Sequence, residues 1–333
     1  MNKISVSSPS NIALIKYWGM SDAKRTLPAN RSLSMTLSRC VSLYTLETLD
    51  DSSPDEIYWR AEDGTLEAAD PIMRLGIEQH VRRLRQCSDF RQPLRIATTN
   101  TFPTSAGIAS SASGYSALAL AFAALFGQLS SPDQLSGLAR LSGSGSAARS
   151  LLGGFVTWPG DADDPQSPAR QLATAAHWPL HDIIVVVDGS AKTTSSRIGH
   201  LRAQSSPFYQ RRQQLLVERL RHLQHAILTR DFSRFADIVE CEAIELHLIA
   251  MSSVPPLFYW QPATLSVLYR VQQLRRNGLD VCTTFDAGPN AHVLCTPEHC
   301  PKVLAVLREL DGVQQIIPDQ IGEGPQVLTQ ALF

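Results

Sequence analysis

The chain has 333 residues, of which 44% are hydrophobic and 18% charged, a composition typical of a globular protein with one large or two medium domains. The formal net charge of −1 argues against nucleic acid or an anionic membrane as the main partner. The N-terminal stretch lacks the apolar run of a signal peptide, and no segment is long and apolar enough for a membrane span, so we expect a cytoplasmic protein. Six cysteines without a C-x-x-C pair favour reduced thiols over disulfides or a zinc site.

The N-terminal half alternates strand and helix patterns. Alternating and β-branched residues predict strands over 4–7, 32–37, 41–49 and 56–59, then a helix over 71–86 and a strand over 94–99. The apolar segment PSNIALIKYWG (9–19) contains a single lysine, Lys16. Burying a lysine is costly unless it meets an anion, so Lys16 either faces an anionic group or extends to the surface.

A small-residue stretch, TFPTSAGIASSASGY, begins at Thr101 and leads into an apolar helix pattern. Gly107 can adopt a positive φ, and Ser110, Ser111 and Ser113 stand at the start of the helix. The free backbone N–H groups and the dipole at a helix N-terminus attract anions, most often phosphate. The stretch lacks the Gly-Lys-Ser/Thr of the Walker loop. It is therefore either another type of phosphate loop or simply a serine-capped helix.

A second glycine-serine segment, SGSGSAARSLLGG (142–154), lies between a predicted helix that ends near Leu141 and an apolar strand over 155–158. Its composition is typical of a flexible linker. Its position between two apolar elements instead favours a second anion-binding loop, with Arg149 behind it.

The C-terminal half begins with an apolar run over 182–187, a predicted buried strand near a domain boundary. The polar segment 188–207 is either a mobile lid or a long surface loop. We predict helices over 208–228, 232–251, 262–277 and 298–310, and strands over 281–285 and 291–295 around the turn DAGPN. This order of elements indicates an α+β fold with two layers or two lobes.

Four segments, in this order, resemble the mevalonate diphosphate decarboxylase family of the GHMP kinase superfamily. They are NIALIKYWG (11–19), PTSAGIASSAS (103–113), GSGSAARS (143–150) with SSR (195–197), and FDAGPN (285–290). The resemblance covers nearly the whole chain and implies a GHMP-kinase-like α+β fold. An N-terminal ribosomal-protein-S5-like α/β domain (1–186) and a C-terminal α+β domain (187–333) would enclose the active site in a cleft. The resemblance also implies ATP, Mg²⁺ and a homodimer.

The resemblance further implies a reaction. The γ-phosphoryl group of ATP passes to the 3-hydroxyl of a 5-phosphorylated mevalonate, and phosphate and CO2 then leave to give an isopentenyl phosphate ester. A tertiary alcohol needs a positioned base or a carboxylate that holds its proton. The resemblance assigns this role to Asp286. Without the resemblance, the sequence DAGPN would indicate only an aspartate that caps a turn. Lys16 would lie near ATP and the reacting centre. Arg149 would orient the substrate carboxylate, which a planar guanidinium binds well.

The other residues implied by the resemblance form two groups. The 5-phosphate end of the substrate would meet Tyr17, Met20, Ser144, Ser146, Ser196 and Arg197. ATP would meet Pro103, Ser105, Ala106, Gly107, Ala109, Ser110, Ser111 and Ser113, with Ser111 as a candidate metal ligand.

Two departures from the family pattern lie at the phosphate end. The family commonly reads K-Y-W-G-K, whereas this chain has Met20 in the last position, and one extra residue stands near Leu141 and Ser142. A charge-assisted hydrogen bond is worth about 1.5–3 kcal/mol, or about 10- to 150-fold in affinity. Losing it penalises a diphosphate more than a monophosphate, unless Lys24 or Arg25 compensates. We therefore expect (R)-5-phosphomevalonate as substrate, with (R)-5-diphosphomevalonate as the alternative.

Two other functions are compatible with the same fold. One is a mevalonate 3-kinase that stops before decarboxylation, and the other is an inactive ATP-binding homologue. The presence of Lys16, Arg149 and Asp286 argues against the first, and the intact base and phosphate loop argue against the second.

Overall fold

The computed structural model describes residues 2–23, 25–50, 52–103, 108, 110–127, 131–161, 163–190 and 196–333. Helices and strands are mixed through both halves of the chain, which confirms the predicted α+β fold. No helix of the described ranges is long and apolar enough to cross a membrane. The helices are α1 (Pro71–Gln86), α2 (Ser110–Leu125), α3 (Pro132–Arg140), α4 (Ser196–Arg202), α5 (Tyr209–Thr229), α6 (Phe232–Met251), α7 (Pro262–Arg276) and α8 (Cys300–Arg308).

The strands form two main sheets and one short hairpin. They are β1 (Lys3–Ile15), β2 (Met20–Asp22), β3 (Leu27–Pro28), β4 (Ser32–Thr48), β5 (Glu56–Arg60), β6 (Leu66–Ala68), β7 (Leu94–Asn100), β8 (Phe155–Trp158), β9 (Arg170–Ala173), β10 (His181–Val186), β11 (Val281–Phe285), β12 (Ala291–Cys295), β13 (Gln315–Gln320) and β14 (Gln326–Leu328). The larger sheet has the order β14-β1-β4-β7-β5-β6, with β8 beside β4 and β9 beside β8. The smaller sheet is antiparallel, with the order β11-β12-β10-β13, and β2 pairs with β3.

The two strands predicted over 32–37 and 41–49 are one long strand, β4. The polar residues between them stay in the strand because the Asp319 carboxylate accepts the backbone N–H groups of Ser38, Arg39 and Cys40. β1 likewise extends through most of the apolar segment that follows residue 7, with a register shift at Pro9. Both corrections arise from contacts between residues that are distant in sequence.

Helix α2 is buried on nearly all sides against the larger sheet. Its residues Leu118 and Phe122 belong to the same hydrophobic cluster as Val6 of β1 and Leu46 of β4. A helix that is apolar all round requires burial, which explains why α2 packs into the core instead of lying on the surface. This packing fixes the position of its first turn, which contains Ser110 and Ser111.

A second hydrophobic cluster connects the two sheets. It includes Leu14 and Met35 of the larger sheet, Phe235 of α6, and Ile184 and Leu294 of the smaller sheet. The two lobes therefore share one continuous core. The predicted boundary between residues 186 and 187 falls just after β10, a strand that pairs only within the smaller sheet, so sheet membership would place β10 with the C-terminal lobe.

Two predicted loops contain regular structure. The segment 142–154, which resembled a flexible linker, includes a buried 3-10 helix over Gly145–Ala148. The polar segment 188–207 includes α4 and a short 3-10 helix over Ala203–Ser205, while residues 191–195 lie outside the described ranges. Neither segment is the unstructured connection that its composition suggested.

Candidate active site

A cleft of about 810 Å³ lies between the two lobes. Its walls come from the end of β1, the first turn of α2, the segment 142–149, α4 and the turn after β11. Most of the predicted site residues that the structure describes line it: Lys16, Tyr17, Met20, Ser110, Ser111, Ser144, Ser146, Arg149, Ser196, Arg197 and Asp286. The fold thus brings together segments that are up to 270 residues apart in sequence.

Two predicted residues that the structure describes, Pro103 and Ser113, do not line this cleft. Pro103 is exposed and does not line it. Ser113 is fully buried, and its hydroxyl is hydrogen-bonded within the protein, to Ser42 Oγ at 2.7 Å and to the Ser110 carbonyl at 3.2 Å. The remaining members of the predicted ATP loop lie outside the described residues: Ser105, Ala106, Gly107 and Ala109.

Lys16 and Asp286 form an ion pair in the cleft, with 2.8 Å between Lys16 Nζ and Asp286 Oδ1. The Lys16 side chain is 2% exposed and that of Asp286 is 28% exposed. Lys16 therefore meets a carboxylate and does not extend to the surface. Burial lowers the pKa of Lys16, an effect that the charges of Asp286 and Glu242 oppose. Lys16 comes directly after the last residue of β1, and Asp286 directly after the last residue of β11, so each stands where a sheet ladder ends.

Arg149 is a buried cation whose hydrogen-bond partners are neutral. Its guanidinium donates to Ser32 Oγ at 2.7 Å, to Ser34 Oγ at 3.0 Å, and to Asn11 Oδ1 at 3.2 and 3.3 Å. No carboxylate of the described chain forms an ion pair with it. Burial lowers the pKa of Arg149 to about 10, and the nearby charge of Asp286 opposes this shift. A buried charge without an ion-pair partner is costly, so this site is suited to an anionic ligand.

Hydroxyl groups and aromatic rings line another part of the cleft, next to Arg149. Ser144 Oγ and Ser146 Oγ lie 3.0 Å apart, and the Tyr17 ring centroid lies 4.2 Å from that of His200. His200 Nδ1 accepts the Gly19 N–H at 3.2 Å. Burial lowers the pKa of His200 to about 3, so its ring is neutral near pH 7. Among the described lining residues, Arg149 and Arg197 both place positive charge near Tyr17.

Met20 lines the cleft, as the family pattern predicts for this position. Of the two residues proposed to compensate for the absent lysine, Arg25 does not line the cleft and Lys24 lies outside the described residues. Arg25 instead occupies a turn in which its N–H donates to Asp22 Oδ1 at 3.0 Å. Among the described residues, Arg25 therefore does not take the place of the absent lysine.

Sequence reasoning missed an apolar recess that continues the cleft. It is formed by Trp59 of β5, Met73 and Ile77 of α1, and Tyr115 of α2. Ile72 also lines the cleft and is 83% exposed. The signal in the sequence was weak because these residues come from three separate elements, and α1 is conspicuous mainly for its arginines.

The first turn of α2 also suits a metal bound through phosphates. The described residues contain no group of three or more His, Cys, Asp or Glu side chains that could hold an ion. Ser111, however, lines the cleft at this turn. Mg²⁺ commonly keeps several waters and binds through substrate phosphates, and in phosphate-loop enzymes a Ser or Thr hydroxyl is one of its protein ligands.

Comparisons with known proteins agree with this fold and cleft. Residues 8–169 match the family model described as diphosphomevalonate decarboxylase-like N-terminal domain, and residues 182–316 match that described as mevalonate 5-diphosphate decarboxylase C-terminal domain. Diphosphomevalonate decarboxylase of Candida albicans is 35% identical over 365 residues, covering 100% of this chain and 99% of the relative. That of Aspergillus fumigatus is 37% identical, covering 93% of this chain and 81% of the relative.

Comparison with solved structures indicates the same family. Mevalonate diphosphate decarboxylase from Staphylococcus aureus superposes with a TM-score of 0.90 at 32% identity, covering 98% of each chain. MDDEF in complex with MVAPP, AMPPCP and magnesium superposes with a TM-score of 0.89 at 32% identity, covering 98% of this chain and 99% of the other. The fold is therefore GHMP-kinase-like, and the protein is an ATP-dependent carboxy-lyase. The chain belongs to the diphosphomevalonate decarboxylase family of the mevalonate pathway.

Proposed function

We propose that this enzyme phosphorylates the 3-hydroxyl of (R)-5-diphosphomevalonate with Mg·ATP and releases ADP, phosphate and CO2 to give isopentenyl diphosphate. One observation carries the proposal: the cleft holds the Lys16–Asp286 pair together with Arg149, a buried guanidinium that only neutral groups contact in the described chain. The substrate offers the two groups that such a site needs. Its carboxylate would pair with Arg149, and its hydroxyl would donate to Asp286.

Asp286 has a geometry suited to a tertiary alcohol. Lys16 holds one carboxylate oxygen, Oδ1, and stabilises the ionised form of Asp286, while part of the side chain remains exposed to the cleft. The carboxylate can then accept the hydrogen bond of the 3-hydroxyl and take its proton as the phosphoryl group arrives. Loss of phosphate and of CO2 follows, with Arg149 fixing the departing carboxylate.

The two phosphate-bearing molecules occupy different ends of the cleft in this proposal. The diphosphate of the substrate lies against Tyr17, the hydroxyls of Ser144 and Ser146, and the α4 residues Ser196 and Arg197. The ATP phosphates lie at the first turn of α2, with Mg²⁺ at Ser111, where the ion neutralises charge on the transferred group. The apolar recess beside Trp59 and Tyr115 has the aromatic lining that suits the adenine base.

The comparisons favour the diphosphate over the monophosphate that Met20 suggested. The relatives reported above are diphosphomevalonate decarboxylases that match over most or all of the chain, and MDDEF is a complex with MVAPP. The loss of one lysine removes one contact, whereas Arg197 and the paired serine hydroxyls still line that end. The preference for (R)-5-phosphomevalonate is therefore not supported.

The test is an assay of ADP and CO2 release with Mg·ATP and three substrates: mevalonate, its 5-phosphate and its 5-diphosphate. We expect the highest kcat/KM with the 5-diphosphate and equimolar ADP and CO2. ADP without CO2 would identify a 3-kinase, and ATP binding without turnover of any ester would identify an inactive homologue. Sedimentation equilibrium on the same sample tests the homodimer, which remains a prediction.

A further inference from the structure

A cluster of buried charges lies behind the cleft and takes no part in lining it. Glu242 of α6 is fully buried, and Arg212 of α5 is 2% exposed. Arg212 pairs with Glu242 Oε1, and Arg219 Nη1 lies 2.6 Å from Glu242 Oε2. Glu242 and Arg212 are far from solvent, and neither the sequence motifs nor the proposed chemistry accounts for them.

The cluster holds the backbone of Lys16 at both of its polar groups. Glu242 Oε1 accepts the Lys16 N–H at 3.0 Å, and Arg212 Nη2 donates to the Lys16 carbonyl at 3.1 Å. Asn30 Nδ2 also donates to this carbonyl, at 3.0 Å. Because β1 ends at Ile15, the sheet no longer supplies partners here, and buried backbone groups must find them elsewhere.

Helix α6 also reaches the other member of the catalytic pair. His247 lies five residues after Glu242 on this helix and is 1% exposed. Burial lowers the pKa of His247 to about 3, and a hydrogen bond with the Asp286 backbone opposes the shift. One helix thus contacts the backbone of both Lys16 and Asp286.

Stability alone is a poor explanation for the Arg212–Glu242 pair. Replacing a buried ion pair with apolar residues is often neutral or stabilising. Arg212 Nε and Nη1 moreover have no hydrogen-bond partner among the described residues, so this pair is not arranged for the greatest stability. Placement of a reactive group is a better explanation, because a displacement of about 1 Å at an active site can cost about 100-fold in rate.

We infer that Glu242 and Arg212 are positioning residues, which fix the Lys16 backbone so that its ammonium group meets Asp286 in the cleft. The inference rests on the proposed function, since it assigns these two residues to the same reaction. Neither residue touches the cleft, so both act through Lys16.

The charge of Glu242 also affects the protonation of Lys16. The charged and titratable groups around Lys16 are Asp286 after β11, Glu242 and His247 on α6, Arg212 on α5, Arg149 after the 3-10 helix, and Asp182 on β10. Glu242 raises the pKa of Lys16 against the effect of burial. Removing this charge lowers the pKa of Lys16 further, so the ammonium form is lost at a lower pH. The alkaline limb of the pH–kcat profile should then move to lower pH.

The experiment compares Glu242→Gln with Glu240→Gln. Glu240 is a matched control: it lies on the same helix and is 7% exposed, but it contacts Arg275 and the Thr283 N–H instead of Lys16. We expect Glu242→Gln to lower kcat by about 10-fold or more, with the KM for ATP unchanged within about twofold and the alkaline limb shifted down. Glu240→Gln should leave kcat and the pH profile as in the wild type, even if it lowers the free energy of unfolding measured in urea.

A second pair of variants keeps the test decisive if Glu242→Gln does not fold. Glu242→Asp and Arg212→Lys retain both charges but move the contacting atoms, so kcat should fall while the alkaline limb stays in place. An unchanged kcat in folded Glu242→Gln, or an equal fall in Glu240→Gln, would overturn the positioning role.

A separate measurement distinguishes failure of the proposed function from failure of the positioning role. The chain has five lysines, so the titration of Lys16 can be followed by NMR of the labelled Cε atoms without any substrate. If the wild type turns over no mevalonate ester but Glu242→Gln still lowers the Lys16 pKa, the function is wrong and the contact between Glu242 and Lys16 stands. If turnover is normal and neither the pKa of Lys16 nor kcat responds to Glu242→Gln, the positioning role is wrong.

Discussion

At the scale of single residues, the site is defined by which charges have partners. Lys16 is satisfied by Asp286, whereas Arg149 has only Ser32, Ser34 and Asn11 as described hydrogen-bond partners. The first arrangement fixes a carboxylate in the cleft, and the second leaves a cation for a ligand. The two cations are similarly buried, but Lys16 pairs with a carboxylate of the protein whereas Arg149 can pair with an anionic ligand.

Arg149→Gln tests this assignment. Glutamine can donate a hydrogen bond to the neutral partners but cannot pair with a substrate carboxylate. Because a charge-assisted hydrogen bond is worth about 1.5–3 kcal/mol, we expect kcat/KM for the mevalonate ester to fall by about 10- to 150-fold, with ATP affinity unchanged. Steady-state kinetics and nucleotide titration of the same sample provide the measurement. An unchanged kcat/KM would show that Arg149 does not bind the carboxylate.

The residues that we propose as catalytic could be identified in the sequence because each lies in a short, distinctive segment. Lys16 stands out as the single charge in an apolar run, and Asp286 stands in a turn of small residues. Glu242 and Arg212 could not be predicted, since a helical sequence gives no sign that a charged residue faces another element instead of water. Their contact with Lys16 depends on residues that are 226 and 196 positions away.

At the scale of elements, α4 brings part of the segment 188–207 to the cleft. His200 packs on Tyr17 and Trp18, with ring centroids 4.2 and 4.7 Å away, while Ser196 and Arg197 line the cleft. Strands over 281–285 and 291–295 could be predicted with correct bounds because turn residues delimit apolar runs. The helix within 188–207 was missed, since its short polar sequence is stabilised by packing on Trp18 and not by an apolar face of its own.

Gly199→Ala tests whether the docking of α4 matters for substrate binding. A Cβ at Gly199 would lie 2.3 Å from Trp18 Cη2 and 2.7 Å from Tyr259 Oη, so the packing of α4 on these two rings must change. We expect a KM for the mevalonate ester raised by about 10-fold or more, because Arg197 would lose its contact with the substrate phosphates, while the KM for ATP stays unchanged. Initial-rate kinetics give both constants.

Gly137→Ala is the control for this variant. Gly137 lies within α3, and nothing lies within 4 Å of the position its Cβ would take, so this change should leave both KM values unaltered. Equal kinetics for Gly199→Ala and the wild type would mean that α4 does not position the substrate.

At the scale of the whole molecule, the two lobes that form the cleft share structure. The common hydrophobic cluster contains residues of both sheets, and β14, near the end of the chain, pairs with β1. Asp319 adds a polar connection, since this residue of β13 in the smaller sheet accepts the N–H groups of Ser38, Arg39 and Cys40 of β4. The α+β class could be predicted from the order of elements, but this sharing could not, because it joins segments about 280 residues apart.

Asp319→Ala should therefore destabilise the molecule as one unit. Asp319 is 2% exposed, and its removal leaves N–H groups of β4 without their acceptor. Each of these groups that stays buried lowers the free energy of unfolding by about 1–3 kcal/mol. We expect a lower urea midpoint in a single transition, seen alike by circular dichroism and tryptophan fluorescence. Asp311→Ala, at an exposed turn, should leave the midpoint unchanged. Separate transitions for the two signals would show that the lobes unfold independently. The shared core would then not couple the two lobes.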